Sequence, residues 1–297
     1  MLDREPPGAS SDGTVEASPP KPPPAASHRR RAKWLAGLIV VGLLALVLVR
    51  TVLAPPSGQL YFVGDFESRD FSQWSEVQAF ARDRYSIVSS PRKQGSFAGR
   101  FESVAGECIP MDCSGPVPRG RTEALIKGSG HRVSEGQDRW YRWYTLFPAK
   151  GPRPEFTFTQ WRADDEQSGP RARNGIYGLM TVGRSDSSPT ERLSFQRNGD
   201  RWTGALRRGR WIKFVVHIKY SADPNVGLYE LWVDGERVMS FHDQSKPANT
   251  GVYLKQGVYR NGDTPGAVVY HDGLRIASTR ALADLGWADQ MLGRDKP

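Results

Sequence analysis

Apolar and polar side chains alternate with a period of two over most of the chain after residue 58, the pattern of strands that bury one face. Residues 210–221 show it most clearly. Ile212, Phe214, Val216, Ile218 and Tyr220 fall on one side, and Lys213, Val215, His217 and Lys219 on the other. Residues 228–233 run into Asp234-Gly235 and residues 237–241 return, the signature of a tight hairpin. Residues 140–147 and 155–162 read as further strands, and Asn198-Gly199, Asn261-Gly262 and Asp272-Gly273 read as punctuation between others. A helical pattern is hinted at over residues 279–292. Many short strands with regular turns predict an all-β fold, a sandwich whose expected form is a jelly roll.

The N-terminal part breaks this pattern and sets the expected domain organisation. Residues 1–33 are rich in Pro, Ala, Ser and Gly and end in the basic cluster His28-Arg29-Arg30-Arg31-Ala32-Lys33. Such a stretch buries too little apolar surface to offset its ordering entropy, so a disordered cytoplasmic tail is expected. Residues 34–54 are almost wholly apolar, and about 20 such residues span a bilayer. Val52-Leu53-Ala54 has the small-residue character of a signal-peptide cleavage site, but Pro55 follows directly and the preceding basic region is long. An uncleaved single-pass anchor is therefore expected. The cations before it place the N-terminus in the cytoplasm and residues 55–297 outside the cell.

Charge and cysteines narrow the chemistry. The chain carries +9. Seven Lys/Arg and four Asp/Glu lie in residues 1–50, leaving 34 against 28 in the remainder, an excess suited to an anionic partner. No zinc-finger spacing, P-loop or RNP-like segment is present, so nucleic acid is not the expected partner. Cys108 and Cys113 are the two cysteines, and outside the cytoplasm a disulfide between them is expected, pinning a loop just ahead of Arg121. The reading calls for no cofactor. Calcium is the one ion that Asp164-Asp165-Glu166 could take, although solvated carboxylates suit that loop better.

Alternation also gathers candidate functional groups. Arg121 shares a face with Glu123, Gln160 with Arg162, and Tyr253 with Lys255, so cations, an amide and a phenol could converge on an acidic sugar. These segments carry a family resemblance. Gly64-Asp65-Phe66-Glu67 with Phe71-Ser72-Gln73-Trp74 resembles the opening of the heparin lyase I-like and glucuronan lyase-like polysaccharide lyases. Arg121-Thr122-Glu123-Ala124-Leu125, Gln160-Trp161-Arg162 and Tyr253-Leu254-Lys255-Gln256-Gly257-Val258-Tyr259 follow the order seen in jelly-roll lyases, including alginate lyases. Trp232-Val233-Asp234-Gly235 and Tyr270-His271-Asp272-Gly273 are similar to that group as well.

The resemblance implies a concanavalin-like jelly roll that cleaves a uronate-bearing acidic polysaccharide by β-elimination, acting as a monomer. Arg121 and Gln160 would hold the uronate carboxylate, Tyr253 would transfer protons, and Lys255 would support it electrostatically. Arg162, Glu123, Tyr259, Arg260 and His217 would contribute to substrate binding. One position departs from the pattern: Arg162 stands where such lyases commonly carry histidine, and arginine does not act as a general base. Replacement histidines would have to come from His131, His217, His242 or His271. Two other readings stay open, a binding module on the same fold that has lost catalysis, and a glycoside hydrolase. The hydrolase needs two flanking carboxylates, and no ExDxxE strand supplies them.

Overall fold

The computed structural model describes residue 41 and residues 56–128, 132–164, 175–185 and 188–286, with backbone alone at 184, 185, 188 and 189. The chain separates into two units, Met1–Ala54 and Pro55–Pro297. The expected tail over 1–33 and anchor over 34–54 lie outside the described residues, Val41 excepted. Among the described residues no helix is long and apolar enough to cross a membrane.

Fifteen strands are described: β1 Leu60–Gly64, β2 Glu76–Ala79, β3 Tyr85–Val88, β4 Ala98–Ser103, β5 Arg119–Ile126, β6 Asp138–Leu146, β7 Phe156–Ala163 and β8 Ile176–Ser185, then β9 Ser188–Gln196, β10 Asp200–Ala205, β11 Trp211–Lys219, β12 Leu228–Val233, β13 Glu236–His242, β14 Val252–Asn261 and β15 Ala267–Ala277. Two short helices join them, α1 at Pro110–Cys113 and α2 at Arg280–Asp284. The strands form two antiparallel sheets in a jelly-roll-like sandwich. One runs β13-β12-β11-β6-β15-β4-β3 with β1 also on β15, and the other runs β10-β9-β8-β7-β14-β5-β2.

The core lies between the sheets. Ile212, Phe214, Val216, Ile218 and Tyr220 enter it from β11 and the residue after it, as their alternation predicts. Trp143 and Trp161 are fully buried there. Fully burying one large apolar side chain stabilises by roughly 1.5–3 kcal/mol, so this face alone holds β11 in register. Trp140 instead lies on the outer surface of the first sheet, its ring stacked 4.1 Å from His217. The hairpin turns behave as their sequences require: Asn198 and Gly199 (φ 53° and 106°) and Asp234 and Gly235 (φ 50° and 97°) all take left-handed backbone.

Three local expectations are corrected. Asp272-Gly273 is not a turn between strands; it sits inside β15 as an irregularity where the register with β6 shifts. The C-terminal helix, capped by Thr279, whose hydroxyl accepts from the Leu282 amide, ends at Asp284 after five residues, and residues 287–292 of its pattern lie outside the described residues. Strand β7 breaks its own alternation. Phe156 and Phe158 enter the core, but so do Trp161 and Ala163, because a bulge falls between Thr157 and Thr159. Thr157, Gln160 and Arg162 consequently share the opposite face.

Candidate functional site

On the second sheet, the face turned away from the core carries its side chains in rows set by strand register. One row starts at Arg121 on β5, opposite Tyr259 on β14. Tyr259 is opposite Thr157, Thr157 opposite Thr181, Thr181 opposite Ser194, and Ser194 opposite Thr203. A second row places Lys255 between Leu125 and Gln160, and continues through Leu179 and Gln196 to Asp200. Tyr253 faces Arg162 in a third row. Six residues along β14 separate Tyr253 from Tyr259, roughly 20 Å of backbone at about 3.3 Å per residue.

The arginine and its neighbours form a buried network. Arg121 meets Asp112 through two contacts, Nε to Oδ2 at 2.9 Å and Nη2 donating to Oδ1 at 3.0 Å. Its Nη1 donates to Gln78 Oε1 at 2.8 Å, and Glu123 stands 3.6 Å from Nε. Lys255 Nζ donates to that same Gln78 oxygen at 3.0 Å and lies 4.0 Å from Glu123. Gln160 Nε2 donates to Glu123 Oε1. Burial disfavours charge on Arg121, but Glu123, Asp112 and the Tyr259 phenol outweigh it and hold the guanidinium above the ordinary arginine range. Glu123, Gln160 and Lys255 are each no more than 2% exposed.

Asp112 owes its place to the short covalent ring. Cys108 and Cys113 are disulfide-bonded, and Pro110 opens α1 inside that ring, where its missing N–H and fixed φ suit a first helical turn. The ring turns Asp112 back onto Arg121, so the disulfide pins a charged partner as well as a loop.

An open cavity of about 950 Å³ adjoins this network. Tyr259 forms one wall, Thr157, Thr181, Ser194, Gln196 and Thr203 the floor, and Arg119, Glu155, Arg192 and Asp200 contribute charge. Arg121 holds its guanidinium carbon 4.6 Å from the Tyr259 ring centre. The face thus presents a phenol to the cavity and a permanent cation directly behind it.

The structure therefore gathers Arg121, Glu123, Gln160, Lys255 and Tyr259, and it places Tyr253 and Arg162 at the Lys255 end of that network, away from the cavity. Tyr253 is 7% exposed, is not part of the cavity lining, and has Lys127 and Lys255 at 5.3 and 5.7 Å from its ring. Arg162 accompanies Tyr253. Arg260 touches the cavity, yet its guanidinium turns to Ser103 and to the carbonyls of Asn261, Gly262 and Thr264, bracing the loop after β14. His217 lies on the other sheet, held by Asp138 at 2.7 Å and Glu230 at 2.9 Å. His242 contacts the Gly227 carbonyl, His271 is inside the core against Thr145, and His131 lies outside the described residues. Among the described residues no histidine reaches this face. No group of three His, Cys, Asp or Glu among the described residues is placed to hold a metal ion; Asp165 and Glu166 lie outside them.

Sequence reasoning missed Asp112, Gln78 and the hydroxyl row. The cysteine spacing pointed to the loop that carries Asp112, and nothing in the local pattern marked Gln78 or Thr157.

A family model described as polysaccharide lyase matches residues 66–275. The chain belongs to the polysaccharide lyase family. Its fold is shared by solved structures at low identity. An endo-β-1,4-glucuronan lyase from Trichoderma reesei is 14% identical, with a TM-score of 0.56 over 74% of this chain and 96% of that one. The catalytic domain of a glycoside hydrolase family 131 protein from Coprinopsis cinerea is also 14% identical, with a TM-score of 0.53 over 77% and 99%. An alginate lyase from Pseudomonas aeruginosa is 17% identical over 71% and 100%, with a TM-score of 0.45. A lyase and a hydrolase on one sandwich mean that fold does not choose the reaction of this polysaccharide lyase family member; its site must. No curated protein sequence matches it significantly.

Proposed function

We propose that this family member cleaves a uronate-bearing polysaccharide by β-elimination, with Tyr259 as the proton-transferring phenol. In that reaction the C5–H bond breaks as its proton passes to the Tyr259 oxygen, a C4–C5 double bond forms, and the C4–O4 bond breaks with O4 taking the proton that the Tyr259 phenol gives up. Negative charge builds on the uronate as the C5 proton departs, and a fixed cation beside it is worth most where water is excluded. The observation that carries the reading is Arg121 stacked behind Tyr259, the one tyrosine among the described residues that line the cavity. An arginine has five N–H donors; Gln78 and Asp112 accept one each from the two terminal nitrogens of Arg121, and Nε lies buried against Asp112, which leaves one N–H on each terminal nitrogen for the phenol and a substrate carboxylate. Gln160 and Lys255 act behind Arg121 by balancing Glu123. Tyr253, to which the resemblance assigned the proton transfer, is read as part of the sheet's packing.

The decisive assay follows ultraviolet absorbance of the unsaturated uronate with the full chain and several polyuronates. Tyr259→Phe should abolish the signal and Tyr253→Phe should keep most of it. The reverse result would return the role to Tyr253. A second reading, a binding module without catalysis, is favoured by the internal engagement of Gln160 and Lys255 and by Arg162 standing where a histidine is common. Binding without any absorbance rise from the wild-type chain would select it.

We also propose that residues 34–54 anchor the chain in the cell membrane as a single pass, with residues 1–33 cytoplasmic and 55–297 outside. The apolar run, the basic cluster before it and the disulfide beyond it support this. Protease added to intact cells should remove the C-terminal domain and spare the N-terminal tail.

A further inference from the structure

Phe80 is out of place for a phenylalanine of this chain. The sequence holds twelve, and every other one lies in the core between the sheets or packs against it. Phe80 is 55% exposed. A single exposed apolar ring is ordinary on a protein surface; its position relative to Arg121 and Tyr259 is what gives it meaning.

Strand register sets that position. β2 is the edge strand of the second sheet, and its Gln78 and Ala79 lie opposite Glu123 and Thr122 on β5. The next step of that register brings residue 80 opposite Arg121, which itself lies opposite Tyr259. Parity puts the ring on the same face, because Gln78, two residues earlier, turns its side chain to Arg121 and Lys255. At about 4.8 Å per strand, Phe80 stands roughly 10 Å across the sheet from Tyr259, on the side away from the hydroxyl floor of the cavity. A second apolar group borders the same place. Met111 is 64% exposed and precedes Asp112, whose carboxylate is held on Arg121. The other exposed large apolar side chains among the described residues are valines, Val41, Val104 and Val226.

A polysaccharide cut at Tyr259 has sugars on both sides of the broken bond. One side enters the cavity, and the other leaves across Arg121 and the edge strand. A pyranose ring carries its hydroxyls and carboxylate around its edge and presents C–H groups on its faces, so it stacks on an aromatic ring whether or not it is charged. Resting on the lyase reading of Tyr259, we infer that Phe80 is the platform of a sugar-stacking subsite beyond Arg121, with Met111 at its border. It holds a sugar of the same polysaccharide on the side of the scissile bond away from the cavity.

The test is calorimetric binding to the full chain carrying Tyr259→Phe, which separates recognition from turnover. The probes are oligosaccharides of graded length from glucuronan, alginate, hyaluronan and heparosan. For a polymer that binds, affinity should rise with length until the sugar reaches past Arg121. Adding Phe80→Ala should weaken the long probes about five- to ten-fold and leave the short ones unchanged, while Phe80→Trp should keep the gain because it preserves a stacking face. Affinities untouched by Phe80→Ala at every length, an equal loss on short and long probes, or no binding by any probe would overturn the inference. So would wild-type dimers in sedimentation that Phe80→Ala dissociates with sugar affinity unchanged, which would give the ring to a second copy of the chain. A length-dependent loss in Phe80→Ala together with a wild-type chain that yields no unsaturated product would instead sink the lyase reading and leave the subsite standing.

Discussion

Replacing Asp112 with alanine would test whether the disulfide ring builds the site or only borders it. Arg121 and Asp112 have side chains each 8% exposed and meet through two contacts of 2.9 and 3.0 Å. Removing one partner of a buried pair typically costs about 3–5 kcal/mol, because the other charge stays buried and uncompensated. Here Glu123 remains 3.6 Å from Nε and Gln78 still accepts from Nη1, which retains part of the compensation. The expected loss is about 2–3 kcal/mol, read as a shift in urea midpoint at unchanged slope. For a domain of this size that corresponds to a fall of roughly 5–10 °C in Tm. Adding Arg121→Met should recover part of the loss, since it removes the orphaned charge. A loss below about 0.5 kcal/mol, the range of ordinary surface substitutions, would refute the reasoning and free Arg121 from any dependence on the ring.

Removing the disulfide with Cys108→Ser and Cys113→Ser releases a ring of about six residues, so chain entropy alone predicts roughly 2 kcal/mol lost; urea unfolding with and without reductant should show the same difference in the wild-type chain, and equal midpoints would contradict it. Gly257 has φ 146° and an added Cβ would lie 2.1 Å from the Thr122 carbonyl oxygen, so Gly257→Ala should cost about 2–4 kcal/mol through forced backbone movement beside Tyr259, and a neutral result in thermal unfolding would mean the strand shifts freely there. Burial pushes the His271 imidazole down to about 3, and burial pushes the Asp272 carboxyl up to about 7 despite the amides of Gln94 and Lys93. Between pH 4 and 6.5 the unfolded chain binds the histidine proton and the folded chain binds the aspartate proton, so the two slopes of about 1.4 kcal/mol per pH unit oppose each other. His271→Leu should therefore leave stability falling as pH rises through that window, Asp272→Asn should leave it rising, and parallel curves for the two variants would contradict the assignment.

Much of the fold is written locally. The period-two pattern of residues 210–221 needs one buried face, and any sandwich that supplies it places Phe214 and Val216 inside. Asn198-Gly199 and Asp234-Gly235 accept left-handed backbone at little cost, so those hairpins close wherever they occur. Arg121 with Glu123, and Gln160 with Arg162, were legible as face-sharing pairs for the same reason, since strand parity is a property of each segment alone.

Register between strands is not such a property. It depends on which strands become neighbours and where bulges fall, and those choices follow from packing across the whole core. The bulge in β7 lets Phe158 and Trp161 both enter the core and turns Thr157 outward, opposite Tyr259. Equal parity along β14 put Tyr253 and Tyr259 on one face, the resemblance gave the proton transfer to Tyr253, and the pairing of β14 with β5 set Tyr259 against Arg121. Asp112 and Gln78 reach Arg121 from 9 and 43 residues away, one through a covalent ring and one from an edge strand. Segment by segment, the chain states which side chains can share a face; the assembled sheet determines which of them touch, because contact between strands is fixed by long-range packing.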